Sequence, residues 1–139
     1  MRNLLPLLLL SACHPAEPVI AGINQAMGYQ AISFDPHCTD WVYDDGLTKC
    51  VKLDWGRLKP GQLGRTEPPP ASGYPWTITL SEDIRDDYPK IRAVLAHELG
   101  HVLGLRDDPV SGRLMSSHLT PNADLLLGEL PGLVAEVQR

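Results

Sequence analysis

Two histidines separated by three residues constrain this chain more than any other feature of its sequence. They stand in the run His97-Glu98-Leu99-Gly100-His101. Four residues advance an α-helix by about 400°, so in a helix both imidazoles project from one face, one turn apart. Two imidazoles so placed can both reach one metal ion at about 2.0–2.1 Å, the length of a zinc–nitrogen bond. The run therefore predicts a helix that presents His97 and His101 as two ligands of a single cation.

The sequence after this run supplies a turn and a third ligand. Gly104 follows three residues after His101, and Asp107 follows three residues after that. A glycine lets the helix stop and the backbone turn sharply, with a positive φ where needed, so the chain can return a side chain to the ion. With Asp107 as the third ligand, a tetrahedral Zn²⁺ keeps its fourth position for water or substrate, which is typical of a catalytic site. Asp108 is the alternative ligand if the loop differs by one residue.

Glu98 lies next to the first histidine and is expected to emerge toward the same cleft without binding the metal. That is the position in which a general base can take a proton from metal-activated water. A plainer interpretation treats the two histidines as surface groups and Asp107-Asp108 as the polar start of a loop. The combined spacing of histidines, glycine and acid favours the metal site.

The extended pattern resembles that of the metzincin metallopeptidases, His-Glu-x-x-His-x-x-Gly-x-x-His/Asp followed by a methionine turn. The matching residues are His97, Glu98, His101, Gly104 and Asp107, with Leu114-Met115-Ser116 as the turn. The match covers residues 97–115 and looks most like the matrixin branch and related small bacterial enzymes. The resemblance implies one catalytic Zn²⁺, a peptide or protein substrate, and Met115 as a hydrophobic floor beneath the metal. An ordinary core methionine is compatible with the same position.

The chain departs from the matrixin pattern in three ways. The third ligand is Asp107 where matrixins carry histidine, a variant familiar from snapalysin-like enzymes, and a carboxylate should make the zinc a weaker Lewis acid. No cysteine-switch propeptide separates Cys13 from the domain. The segment 116–119 (Ser-Ser-His-Leu) stands where the Pro-x-Tyr of matrixins lines the specificity pocket. There, His118 is either a hydrogen-bond donor to the reaction's oxyanion or a surface residue.

The composition is that of one globular domain. The chain has 139 residues, of which 43% are hydrophobic and 21% charged, so it is long enough for one core and too short for two. Its formal net charge of -5 provides no basic stripe to neutralise phosphates, which argues against nucleic acid as a partner. No apolar run reaches the roughly eighteen residues needed to cross a bilayer. We expect a monomer.

The first residues have the layout of an export signal. A charged start, an apolar middle and a small-residue end follow one another in Met1-Arg2-Asn3, 4–10 and Ser11-Ala12-Cys13. The last four residues of this segment resemble the lipobox of bacterial lipoproteins, in which the bond before the cysteine is cut and the cysteine is acylated. We therefore predict a signal peptide over 1–12, lipidation of Cys13, a tether over 13–18 and a place in the bacterial cell envelope. The alternative is a chance leucine run before a buried cysteine.

Two further cysteines offer a disulfide. If Cys13 carries lipid, Cys38 and Cys50 remain as a pair in an exported protein, where disulfides persist. They flank a segment that predicts a hairpin over 39–55 with a turn at Asp45-Gly46. A strict two-residue turn would not place Cys38 opposite Cys50, so this bridge needs a wider loop or a bulge.

Hydrophobic periodicity and turn signals predict the remaining elements. They are, in chain order, a helix over 19–30, strands over 31–34 and 51–55, a surface loop over 57–75, a strand over 76–80, a helix from about 86 to 104, and a last helix from 120 to about 130, interrupted by Pro131-Gly132 before 133–137. The strand over 76–80 is the expected edge strand along which a peptide would lie. Four acids, Glu82, Asp83, Asp86 and Asp87, could form a calcium site, but their spacing is not that of an EF-hand, so a solvated helix start is preferred.

The resemblance and these elements together imply an α+β fold of the metzincin type over 19–139. It would combine a twisted mixed β-sheet, the active-site helix, and a small C-terminal lobe with the methionine turn and the final helix. The implied function is a zinc-dependent endopeptidase with Glu98 as general base, anchored to a bacterial cell envelope. The alternative is a non-catalytic envelope lipoprotein that acts as a binding module with a structural or vestigial zinc site.

Overall fold

The computed structural model describes residues 15–34, 48–70 and 75–138. The predicted signal peptide over 1–12, the predicted lipidation site Cys13, Cys38 and the predicted hairpin turn lie outside these ranges. The elements are α1 (Ala16–Met27), β1 (Ile32–Phe34), β2 (Lys49–Gly56), β3 (Gly64–Glu67), β4 (Trp76–Ser81), a first 3₁₀ helix (Glu82–Ile84), α2 (Tyr88–Val102), a second 3₁₀ helix (Ala123–Glu129) and α3 (Leu130–Val137). Among the helices of these ranges, none has the length and apolar character of a membrane-spanning segment.

The strands of the described ranges form one four-stranded mixed sheet in the order β1-β2-β4-β3. β1, β2 and β4 run parallel, and β3 runs antiparallel to β4. Parallel strands are normally buried and need crossover connections, and Val51 of β2 and Ile78 of β4 are both 0% exposed. A mixed sheet combined with helices confirms the predicted α+β class.

The strand predicted over 51–55 is present within β2, but its pairing is not that of a hairpin. Both described partners of β2 run parallel to it, whereas a hairpin partner runs antiparallel. A turn signal such as Asp45-Gly46 is local, whereas the position of β2 follows from the burial of Val51 between two other strands. The predicted first arm of the hairpin, over 39–47, lies outside the described residues.

β3 lies within the segment predicted as a surface loop, and for residues 64–67 that prediction is wrong. The strand reads Gly-Arg-Thr-Glu and contains no apolar residue, so it has no hydrophobic periodicity to detect. It forms because β4 provides a pairing partner for each of its residues. The expectation that 76–80 is the edge strand is also wrong, because β4 is paired on both sides and β3 occupies the edge.

α1 begins at Ala16 rather than Val19, so residues 16–18 belong to the helix and not to the predicted tether. Pro18 falls in the first turn, where its missing N–H costs no helical hydrogen bond. The helix ends at Gly28, whose φ of 81° lies in the left-handed region that favours glycine. Ile23, at 0% exposed, anchors α1 in the core.

α2 is the central helix of the fold and carries the predicted metal residues. Asp87 caps its start by accepting a hydrogen bond from the backbone N–H of Lys90 at 3.1 Å, and Pro89 lies in its first turn. Leu95 and Leu99 are both 0% exposed. The helix contacts α1, β3, β4 and the second 3₁₀ helix, so it is enclosed on most of its circumference. This enclosure fixes the direction in which its polar side chains point.

The acidic cluster before α2 acts as a pair of helix starts. Ser81 Oγ accepts a hydrogen bond from the backbone N–H of Asp83 at 3.2 Å and caps the first 3₁₀ helix, while Asp87 caps α2. In the described structure, no three ligand atoms of Glu82, Asp83, Asp86 and Asp87 converge. The preferred interpretation of this cluster as a helix start agrees with these contacts.

The C-terminal segment differs from its prediction in where the α-helix begins. Residues Ala123–Glu129 form a 3₁₀ helix, and the α-helix is Leu130–Val137. Pro131, expected to interrupt a helix, instead lies in the first turn of α3, where proline is tolerated. Leu130 at 0% exposed and Val134 at 7% exposed pack this helix on the core.

Truncation of a core leucine on α2 tests this arrangement. Leu95→Ala should lower the free energy of unfolding by about 2–5 kcal/mol, because removal of a fully buried side chain leaves a cavity in the core. Leu125→Ala is the matched control, since that leucine is 77% exposed, and it should change stability by less than about 0.5 kcal/mol. Urea denaturation followed by tryptophan fluorescence measures both. Equal losses in the two variants would contradict the described core.

Candidate metal site

His97 and His101 lie one turn apart on α2, with their Nε2 atoms 3.2 Å from each other. The two ring planes are nearly perpendicular, at 86°. The side chains are 15% and 25% exposed, so both reach the surface from a largely buried position. The structure places the two imidazoles on one face of the helix, as the four-residue spacing predicts.

Backbone carbonyl groups hold the opposite side of each ring. Nδ1 of His97 lies 3.1 Å from the carbonyl oxygen of Leu114, and Nδ1 of His101 lies 2.8 Å from that of Leu105. A carbonyl oxygen can only accept, so each Nδ1 carries the hydrogen and donates it. Each neutral ring then keeps a lone pair on Nε2, the arrangement found in metal-binding histidines.

Asp107 brings a carboxylate oxygen to the same two nitrogens. Its Oδ1 is 3.0 Å from Nε2 of His97 and 3.1 Å from Nε2 of His101. Gly104 permits this return of the chain, because its φ of +97° is a value that other residues rarely adopt. The three atoms therefore form a triangle with sides of 3.0–3.2 Å, which we call the donor triangle.

The donor triangle fits a divalent cation. Atoms bound at 2.0–2.1 Å to a tetrahedral zinc are about 3.3 Å apart, close to the observed 3.0–3.2 Å. Two lone pairs and a carboxylate oxygen that face one another repel unless positive charge lies between them. The side chain of Asp107 is 55% exposed, so the triangle is accessible to solvent from its side.

Asp108, the alternative third ligand, is engaged elsewhere. Its Oδ1 accepts a hydrogen bond from the backbone N–H of Val110 at 2.8 Å, and its Oδ2 lies 3.5 Å from Nη1 of Arg113. Its own backbone N–H donates to the carbonyl oxygen of Met115 at 2.6 Å. Asp108 thus ties the loop to the methionine segment, and Asp107 is the acid that reaches the histidines.

Met115 packs against the helix between the two histidines. It is 4% exposed, and its sulfur lies against Gly100, the residue before His101. A Cβ atom at Gly100 would overlap this sulfur, so glycine is the residue that allows the approach. The carbonyl group of the preceding Leu114 holds His97. The methionine segment therefore supports the site by packing and by a hydrogen bond.

Glu98 is 7% exposed, and its Oε1 accepts a hydrogen bond from the hydroxyl group of Thr66 at 2.7 Å. One carboxylate oxygen of Glu98 and the ring nitrogens of the two histidines lie within 4.8 Å of one another. The carboxylate is therefore beside the donor triangle. Sequence reasoning missed Thr66 because it lies in the strand with no hydrophobic pattern, and no signal in the sequence would have placed it against Glu98.

β3 presents a free edge to this site. The backbone N–H of Ser81 donates to the carbonyl oxygen of Leu63 at 2.9 Å, so residue 63 directs its backbone groups toward β4. This direction alternates along an antiparallel pair. The backbone groups of Gly64 and Thr66 therefore point to the opposite edge, which is unpaired in the described part of the chain.

An open cleft of about 650 Å³ lies over these side chains. Its lining includes residues 61–66, residues 116–119, Glu98 and the three residues of the donor triangle. The volume is in the usual range for small-ligand sites. His118 is among the lining residues, and its Nδ1 lies 3.4 Å from Oγ of Ser117. Its donation to an oxyanion stays a prediction.

Cys50 is 2% exposed and is disulfide-bonded. Its partner lies outside the described residues, so the pairing of Cys38 with Cys50 stays a prediction. The lipidation of Cys13 stays a prediction for the same reason.

Comparisons with known proteins assign no family. No protein-family model matches the chain, and a search of curated proteins finds no relative. The geometry of the donor triangle and its surroundings is therefore what supports a functional interpretation.

The contact between Gly100 and Met115 yields a testable consequence. Gly100→Ala should lower the free energy of unfolding by about 1–3 kcal/mol, because the added methyl group overlaps the Met115 sulfur. Gly132→Ala is the matched control: this glycine also lies within an α-helix, and a Cβ there meets nothing within 4 Å. The control should leave stability unchanged or raise it by up to about 1 kcal/mol.

Chemical denaturation of Gly100→Ala, Gly132→Ala, Met115→Ala and the double variant of Gly100 and Met115 measures this contact. Gly100→Ala should cost less stability in the Met115→Ala background than in the wild type, because the side chain that the methyl group meets is then absent. Full additivity of the two losses would show that Met115 does not pack on Gly100.

Proposed function

We propose that this chain is a zinc-dependent endopeptidase of the metzincin type. The observation that carries the proposal is the donor triangle, in which Nε2 of His97, Nε2 of His101 and Oδ1 of Asp107 lie 3.0–3.2 Å from one another. Two further contacts support the proposal: a carboxylate oxygen of Glu98 lies within 4.8 Å of the histidine nitrogens, and Met115 packs on Gly100 between the two histidines in the sequence. The mixed sheet and the central α2 are compatible with that fold.

His97, His101 and Asp107 would hold one Zn²⁺ through these three atoms. When bound, the ion supplies Lewis-acid chemistry, which acidifies a water molecule and polarises the carbonyl group of the peptide bond. Three protein ligands would leave a fourth position for water or substrate, as in catalytic rather than structural zinc sites. The carbonyl groups behind the two rings keep both lone pairs directed at the same point.

Glu98 acts first as general base and then as general acid. It accepts a proton from the attacking water, whose oxygen forms a bond to the carbonyl carbon. It then gives that proton to the amide nitrogen as the carbon–nitrogen bond breaks, so the amine leaves and the carboxylate of Glu98 is restored. Its burial strengthens its interactions with the reacting groups. His118, at the side of the cleft, is the proposed hydrogen-bond donor to the oxyanion.

The substrate in this proposal is an extended peptide that pairs with the free edge of β3. The backbone groups of Gly64 and Thr66 point to that edge and border the cleft. Addition of a strand satisfies such unpaired groups, and alternate side chains of the peptide then enter pockets. In this proposal β3, rather than the strand over 76–80 expected from the sequence, is the edge strand along which the peptide lies.

Removal of the base separates this proposal from a binding module. The purified protein should contain about one equivalent of zinc and cleave a quenched peptide mixture. Glu98→Ala should keep the zinc and lower kcat/KM by about 10²–10⁴-fold, because the proton acceptor is lost. Glu136→Ala, which removes an exposed glutamate of α3, is the matched control and should retain the activity.

Metal analysis and peptide cleavage together decide the result. Activity that survives Glu98→Ala would refute the mechanism. Stoichiometric zinc without cleavage by the wild-type protein would favour the non-catalytic envelope lipoprotein.

We also propose that the protein is attached to a bacterial cell envelope through lipid on Cys13. The support is the lipobox-like run that ends at this cysteine. Each buried methylene of an acyl chain adds about 0.8 kcal/mol of membrane affinity, so several chains on one cysteine give a lasting anchor.

Substitution of Cys13 tests the anchor. Cys13→Ser should move the protein from the membrane fraction to the soluble fraction, because serine does not receive the lipid. Cell fractionation followed by immunoblotting measures the distribution. An unchanged distribution would refute lipidation at this position.

A further inference from the structure

We propose that Thr66 is a positioning residue for Glu98, and that it links the edge of β3 to the general base. This inference rests on the proposed peptidase function. Thr66 does not belong to the motif that predicts the metal site, and it lies 32 residues from Glu98 in the sequence. It acts through Glu98 rather than on the substrate's reacting atoms.

The first support is the close approach of β3 to α2 at this glutamate. Gly64 and Thr66 are alternate residues of the strand, so their side chains lie on the same face of the sheet. A Cβ atom at Gly64 would come within 2.7 Å of Cγ1 of Val94 and 2.9 Å of Cγ of Glu98. The absence of a side chain at Gly64 therefore lets the strand lie directly against the aliphatic part of Glu98.

The second support is the hydrogen bond itself. Oγ1 of Thr66 lies 2.7 Å from Oε1 of Glu98 and 3.1 Å from the backbone oxygen of the same residue. A hydroxyl group has one hydrogen to donate, and the shorter contact has the length of a charge-assisted bond to a carboxylate. Among the described residues, Thr66 is the only side chain that donates to this buried carboxylate. It therefore fixes the carboxylate's rotation and engages one of its two oxygens.

The third support is the direction of the Thr66 backbone. Its N–H and C=O groups point to the free edge of β3, while its side chain points to Glu98. A peptide that pairs with this edge would therefore bind the same residue that orients the base. Substrate binding would use the backbone of Thr66, and the orientation of Glu98 uses its hydroxyl group. The two contributions can be separated, because a substitution changes only the side chain.

Steady-state kinetics of the zinc-loaded full chain test the inference. Thr66→Val keeps the shape of the side chain and removes the hydroxyl group. We therefore expect kcat to fall about tenfold to hundredfold. KM should stay within about threefold of the wild-type value, and the zinc content should stay at about one equivalent. Thr66→Ser restores the hydroxyl group and should return kcat to within about threefold of the wild type. Thr77→Val is the matched control, since Thr77 lies on β4 and does not line the cleft.

A thermal double-mutant cycle gives a readout that does not depend on activity. We expect Thr66→Val to lower Tm more in the wild-type background than in a Glu98→Ala background, by roughly 4 °C or more. The reason is that only in the wild-type background does the substitution remove a hydrogen bond to a buried carboxylate. Equal shifts in the two backgrounds would overturn the inference.

The outcomes separate this inference from the proposed function. If the wild type cleaves peptides and Thr66→Val keeps its kcat, the positioning role is wrong and the peptidase proposal stands. If the wild type cleaves nothing, the peptidase proposal fails, and the thermal cycle alone decides whether Thr66 holds Glu98. A fall in kcat that Thr66→Ser does not rescue would also overturn the role of the hydroxyl group.

Discussion

The mutual repulsion of the three atoms in the donor triangle is the constraint on which the rest of this structure depends. Two imidazole nitrogens and a carboxylate oxygen at 3.0–3.2 Å repel unless positive charge lies between them. Each must therefore be fixed from behind. The carbonyl groups of Leu114 and Leu105 fix the rings, and the turn at Gly104 directs the carboxylate. These groups follow α2 in the chain, so the site is complete only when the segment up to Met115 has folded back onto that helix.

The sheet supports the same helix from the other side. β3 has no apolar residue of its own and is held by its pairing with β4, yet it brings Thr66 and Gly64 against Glu98. The helix thus carries the chemically distinctive side chains, while two less regular segments orient them. One is the edge strand, and the other is the methionine segment. Substitutions in either segment would act on the site without changing His97, His101 or Asp107.

The sequence predicts the part of the site that lies on α2 well, because two residues separated by four positions always lie on the same face of a helix. Asp107 could be predicted too, because Gly104 marks where the chain turns back. β3 could not be predicted, because a short polar strand has no periodicity and exists through pairing with a distant strand. The pairing of β2 and the place of Pro131 were missed for a related reason. What a turn residue or a proline does to the backbone depends on its position relative to the start of a helix or strand. Tertiary packing determines where that helix or strand starts.

If the donor triangle holds a cation, as proposed, the unequal exposure of its three side chains has a consequence for how that cation exchanges with solvent. The side chain of Asp107 is 55% exposed, against 15% for His97 and 25% for His101. A cation that arrives from solvent would meet the Asp107 carboxylate first, because this side chain is the most exposed of the three. Uptake and loss then require rotation of one aspartate side chain and leave the packing of α2 intact. The fraction of loaded molecules would follow the free metal concentration of the surroundings, without any need for the fold to open.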